Sequence, residues 1–179
     1  MAFKRANRAG QVIRLPLTSD PEYRARRQAR IASGERESVV EAEEVNFRAT
    51  LDASCLRTDL ADVTHVTIRG LSGEAFAIAD EQASLAVTKA RIDDDERRSV
   101  RYVGANVAAI VRAGLVDSGL DGLPIIEAGE YPIERIYGPG GIGAAWPAYS
   151  AEVFGFIHSW SHLGNSVSSS CAPSHGEPS

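Results

Sequence analysis

The residues with types and spacing suited to chemistry lie mostly in the last quarter of the chain. His158 and His162 stand four apart in a helical segment, and Cys171 and His175 follow them. Two imidazoles one turn apart share a helix face, and with a thiolate and a third imidazole they would make a zinc set. No CxxC or HExxH frame surrounds them, so no metal residue is assigned. Asp93, Asp94, Asp95 and Glu96 crowd four carboxylates together. Just ahead of a helical pattern, however, such a run serves as N-cap and dipole partner rather than as a cation site. Gly138 to Gly143 has the glycine density of a phosphate cradle but lacks the Lys-Ser/Thr of a P-loop and a strand–loop–helix frame. Cys55 has no neighbouring base, and no nucleophile elbow or carboxylate pair occurs. The expectation is a non-enzyme, with no catalytic residue and no cofactor.

The elements that would position these residues can be read from pattern. Pro21 to Ala32 suits a short helix with Asp20 as N-cap, Pro21 at the first position and Ser33-Gly34 as a stop. Val45, Phe47, Ala49 and Leu51 alternate with polar residues and predict a strand over 45–52. Thr64, Val66 and Ile68 repeat the alternation, and the two segments are expected to form an antiparallel hairpin with one wet face. Ser72 is placed to cap a helix to about Ala90, with Phe76, Ala79 and Ala83 as a small-residue stripe. A second helix over about 96–116 carries Val100, Val103, Val107, Ile110, Val111 and Leu115, and is expected at the centre of the core with Val107 among its key positions. Asp117 to Pro124 is turn chemistry, 125–147 a connector, and Pro147 opens a last helix running to Leu163. The Ser-rich remainder has nothing to bury.

The chain has 179 residues, 44% of them hydrophobic and 24% charged, the profile of one ordinary domain. No apolar run approaches the length of about 20 residues that spans a bilayer. Nor does an apolar stretch follow the basic N-terminus, so no membrane and no secretory signal are expected. Two cysteines make no disulfide framework and are expected as free thiols in a reducing compartment. The net charge of −5 is unevenly spread: residues 1–30 hold eight Lys/Arg against two acids, a local +6 that leaves −11 for the rest. Such an arm can dock on an acidic surface; with few aromatics interleaved, nucleic acid is disfavoured as its partner.

The expected fold class is therefore α+β, a small antiparallel hairpin or sheet packed on a few helices. A basic N-terminal arm (1–44) would precede a single domain (45–163) and a disordered Ser-rich tail (164–179). The arm is expected to lie outside the core, so that losing residues 1–32 leaves the body folded. Partner contacts are assigned to Phe154, Phe156, Ile157 and Trp160 of the last helix, with Phe156 projecting away from the others, and to Arg24, Arg26, Arg27 and Arg30 of the arm.

One further signal is the order of the motifs. Val66-Thr67-Ile68-Arg69-Gly70-Leu71-Ser72-Gly73-Glu74 leads from strand into helix, and a second helix ends Val111-Arg112-Ala113-Gly114-Leu115-Val116-Asp117. The turn Gly119-Leu120-Asp121-Gly122-Leu123-Pro124 and a helix ending at Leu163-Gly164-Asn165 follow. Over residues 63–166 this series resembles the tail assembly chaperones of long-tailed bacteriophages and their prophage or gene-transfer relatives. The turn lacks the tryptophan often found before it in that family, and the connector is longer. The resemblance implies a non-catalytic helper that binds tape-measure and tail-tube proteins in the bacterial host cytoplasm, with self-association left open. The alternatives are a structural virion component, such as a connector or tail subunit, and a nucleic-acid-binding accessory protein acting through the arm.

Overall fold

The computed structural model describes residues 8–92, 102–132, 134–137 and 146–162. The fold is α+β, with a three-stranded antiparallel sheet and helices packed against it. The strands are β1 (Val12–Pro16), β2 (His65–Arg69) and β3 (Leu115–Asp117), in the spatial order β1-β2-β3. The helices are α1 (Pro21–Ala32), α2 (Glu37–Thr50), α3 (Gly73–Ile92), α4 (Tyr102–Gly114), the single turn α5 (Glu134–Tyr137) and α6 (Pro147–His162).

The central strand is β2, and its first neighbour is the N-terminal segment. Leu15 stands opposite Val66 and Ile13 opposite Ile68, while β3 adds Leu115 beside Ile68. Alternation puts these side chains on one face, where Leu15, Val66, Ile68 and Leu115 are buried. The helix α6 packs on this sheet and on α4, and α3 packs on α4. Val153, Phe156 and Ile157 from α6, Ile110 and Val111 from α4 and Phe47 from α2 complete the same core. The ladder continues past Pro16 through the Leu17 N–H donated to the Thr64 carbonyl at 2.9 Å.

This arrangement corrects two expectations. Residues 45–52 are not a strand. Phe47 belongs to a helical stripe in which Val40, Glu43 and Phe47 are buried, and Leu51 ends the helix in the left-handed region. Glutamate and alanine over 37–44 favour the helix, and Val45, which the alternation would bury, is 61% exposed. The hairpin partner of β2 is therefore β1, and the N-terminal segment is part of the core rather than an arm beside it. Leu15, Leu17 and Tyr23 are buried to 1% or less.

Local chemistry agrees with expectation elsewhere. The Asp20 carboxylate accepts from the Glu22 and Tyr23 N–H groups, Pro21 occupies the first turn, and Ser33 caps the C-terminus of α1. The Ser72 hydroxyl accepts from the Ala75 N–H at 3.2 Å and so caps α3. Within α4, Val111 is fully buried whereas Val107 is only partly so; Leu115, expected in that helix, belongs to β3. Gly114 closes α4 where a Cβ would lie 2.7 Å from Ile157 of α6, so the absence of a side chain lets the two helices meet. Cys55 is disulfide-bonded and not a free thiol; two isolated cysteines carry no signal of pairing, which only proximity in the fold decides. Its partner lies outside the described residues, as do Asp93–Glu96, Gly138–Gly143, Leu163 and the Ser-rich tail.

Deleting residues 1–17 removes β1 together with buried Leu15 and Leu17, and is expected to abolish cooperative unfolding near the temperature of the full chain. Circular dichroism melts of the two proteins check this. A truncated chain that melts like its parent would take β1 out of the core.

Candidate binding cleft between α1, α2 and α6

A cleft of about 700 Å³ opens between three helices. Arg24, Arg27 and Gln28 project from α1, and their spacing of three and four puts them on one face. Glu44 and Arg48, one turn apart, come from α2. The opposite wall is α6, which presents Ala148, Ala151, Glu152, Gly155 and Ser159, while Thr18 and Ser19 of the β1–α1 connection lie at the floor. Phe156, 3% exposed, also borders the cleft, and four of the six α6 positions in that wall are alanine, glycine or serine.

The acids of the cleft are occupied by the protein itself. The Glu152 carboxylate accepts from the Thr18 N–H at 2.7 Å, the Thr18 hydroxyl at 2.6 Å and the Ser19 N–H at 2.9 Å. Glu44 pairs with Arg27 at 3.1 Å and accepts from the Tyr23 hydroxyl at 3.2 Å. Burial, then the Glu44 charge beside it, pushes the Tyr23 phenol up to about 12, so it stays a donor. The bases are less committed. Arg48 reaches Glu44 at 3.8 Å and donates to the Thr18 hydroxyl at 3.4 Å, and its side chain is 57% exposed. Arg24 is exposed and makes no ion pair among the described residues. Ser19 is 8% exposed, and its buried hydroxyl has no hydrogen-bond partner among the described residues. What remains for a ligand is the exposed guanidinium groups of Arg24 and Arg48 and the α6 wall.

The residues assigned from sequence are distributed differently. Arg24 and Arg27 line the cleft; Arg26 and Arg30 do not. Arg26 is held by Glu22, Asp59 and Asp62 at 3.0, 3.0 and 2.6 Å. Arg30 is held by Glu35 at 2.7 Å and Glu43 at 2.8 Å. These pairs tie α1 to α2 and to the loop before β2. Phe156 is corrected most: instead of projecting outward it is 3% exposed and meets Phe47 edge-on at 5.5 Å. Ile157 is fully buried. Phe154 is partly buried and packs against His158, and the Trp160 indole N–H donates to the Gln11 carbonyl at 3.0 Å beneath the Arg8 guanidinium. Buried or engaged in these ways, the four apolar side chains of α6 serve the fold. Sequence reasoning missed Arg48, Glu152, Ser19 and Gly155. Only the glycine carried a signal, as an isolated helix-breaker inside an otherwise helical pattern.

His158 and His162 stack at 4.4 Å, and Phe76 of α3 lies against both rings. Among the described residues no group of three or more His, Cys, Asp or Glu could hold a metal ion; Cys171 and His175 lie outside them. Desolvation, with the neighbouring His162 second, holds the His158 imidazolium below its ordinary range. Among the described residues no helix is long and apolar enough to cross a membrane. No family model matches this chain, and neither a curated protein nor a solved structure matches it.

Two outcomes follow from this geometry. A Cβ on Gly155 would meet nothing within 4 Å, whereas one on Gly114 would strike Ile157. Gly155→Ala is therefore expected to stabilise the protein by about 0.5–1 kcal/mol. Gly114→Ala is expected to destabilise it by about 1–3 kcal/mol through overpacking. Denaturant titration of both variants decides, and equal effects of one sign would contradict the packing described.

The second outcome concerns pH. The folded chain binds the His158 proton more weakly than the unfolded chain, so its contribution to stability is complete above the ordinary value of 6.5 and is lost as pH falls below it. The melting temperature should drop modestly from about pH 7 to about pH 5, and His158→Gln should flatten the drop. An unchanged slope in that variant would assign the effect to other groups.

Proposed function

We propose that this chain is a non-catalytic assembly factor of a bacteriophage or prophage tail, and that it holds a segment of a tape-measure or tail-tube protein in the α1–α2–α6 cleft. The tail assignment is supported by the ordered motifs over residues 63–166. The holding role is carried by one observation, the cleft itself, in which Arg24 and Arg48 stay exposed while Arg27, Glu44 and Glu152 are engaged within the chain. Its volume lies within the range of about 300–1,000 Å³ typical of binding pockets. The nucleic-acid alternative draws less support, because Arg26, Arg27 and Arg30 are engaged by acids of the same chain.

Co-expression with tape-measure and tail-tube proteins is the test. The expected result is a co-purifying complex with at least one of them, together with absence of this chain from purified particles by mass spectrometry. Its presence in mature particles at defined stoichiometry would favour a connector or tail subunit. Failure to retain any tail protein, together with absence from particles, would remove the tail reading.

A further inference from the structure

We propose that the occupant of the cleft is an acidic helical segment of a partner protein, lying along α6 with its carboxylates toward Arg24 and Arg48. This rests on the reading of the chain as a binding protein and names the chemistry of what it binds.

Gly155 sits in the interior of α6, with no left-handed backbone and no neighbour to forbid a side chain. A glycine there costs about 0.5–1 kcal/mol relative to alanine, and no close contact among the described residues requires it. What it does provide is a place where another backbone can approach. Ala148, Ala151, Gly155 and Ser159, with Glu152 and the buried Phe156 between them, extend that face along about 16 Å of helix at 1.5 Å per residue. That length matches about three turns of a second helix, and small contact residues allow the closer interaxial distances of helix packing.

Charge selects the sign of the occupant. Three arginines (Arg24, Arg27 and Arg48) line the cleft against two glutamates (Glu44 and Glu152), and of these five only Arg24 and Arg48 are exposed, so the cleft is net basic and its accessible charges are guanidinium groups. Guanidinium pairs carboxylates with two parallel hydrogen bonds where geometry allows, and like charges opposed across such a groove are strongly disfavoured.

The full-length protein should be titrated against a fluorescein-labelled helical peptide of about 16 residues. Glutamates at i and i+4 spacing would form one face and an alanine–leucine stripe the other. A matched peptide with lysine for glutamate is the control, and citrate the small-anion competitor. The expected result is saturable, salt-sensitive binding of the acidic peptide and none of the lysine peptide. The double change Arg24→Glu with Arg48→Glu should weaken binding by about tenfold or more. Gly155→Trp, which fills the groove without altering charge, should weaken it similarly. Melting curves of each variant confirm that the fold survives; where the double change unfolds the chain, Gly155→Trp alone decides. Equal binding of both peptides, indifference to both variants, or full displacement by citrate with no loss in Gly155→Trp would overturn the proposal. A variant that loses the acidic peptide yet still co-purifies with a tail protein would move the tail partner to another surface and leave the assembly role standing. Acidic-peptide binding without any tail partner would do the reverse.

Discussion

The carboxylate of Glu152 holds the two sides of the molecule at a fixed distance. It accepts two backbone N–H groups and one hydroxyl from residues more than 130 positions away, all at 2.9 Å or less. Hydrogen bonds to an ionised acceptor are about twice as strong as neutral ones. The Thr18 and Ser19 amides face Glu152 at the turn out of β1, and Thr18 and Ser19 are both buried. Removing the carboxylate would strand buried donors, which costs more than the bonds themselves contribute. This contact ties α6 to the turn between β1 and α1, at one edge of the cleft.

Two other polar contacts carry that constraint outward. One oxygen of Asp20 caps α1, while the other accepts the Thr64 N–H at 3.1 Å at the entry to β2. A single side chain thus sets the start of a helix against the start of the central strand. On the far side of α1, Arg30 donates to Glu35, Glu43 and Thr58 and so joins α1, the following turn, α2 and the loop after it. Three of the eight basic residues in the first thirty, Arg26, Arg27 and Arg30, are paired with acids of positions 35–62. The charge asymmetry that resembles an interaction arm in the sequence is thus partly taken up within the fold.

This internal use of charge and aromatic surface narrows what is left for a ligand. Phe156 meets Phe47, Trp160 anchors the segment at Gln11, and the Ser161 hydroxyl accepts from Leu71 at 2.8 Å. The aromatic density of α6 therefore fastens the helix to the sheet and the N-terminal segment. The side of α6 that faces the cleft is its least conspicuous one, lined by alanine, glycine and serine around Glu152 and the edge of Phe156. What the fold leaves exposed there is two guanidinium groups and a stretch of mostly small helical residues.

The sequence by itself determined the features governed by neighbours within a few residues. Asp20-Pro21 at the start of α1, Ser33-Gly34 at its end, Ser72 before α3, the turn from Asp117 to Pro124 and Pro147 at the start of α6 were all legible. Caps, proline geometry and turn residues act through local backbone bonds. The class, α+β, followed from the mix of periods. Tertiary structure decided the rest. Alternation over eight residues at 45–52 is overridden by a helix whose buried stripe is Val40, Glu43 and Phe47, with Phe47 packed against Phe156 and Val45 left exposed. The pairing of β1 with β2 joins segments about fifty residues apart, and no local signal in a five-residue strand encodes that choice. The cleft is less legible still. Arg24, Arg48, Ser19, Glu152 and Gly155 come from four separate segments, and each looks like ordinary surface until the fold brings them together. Local preferences are read along one chain, whereas a site exists only where several chain segments have been brought to the same place.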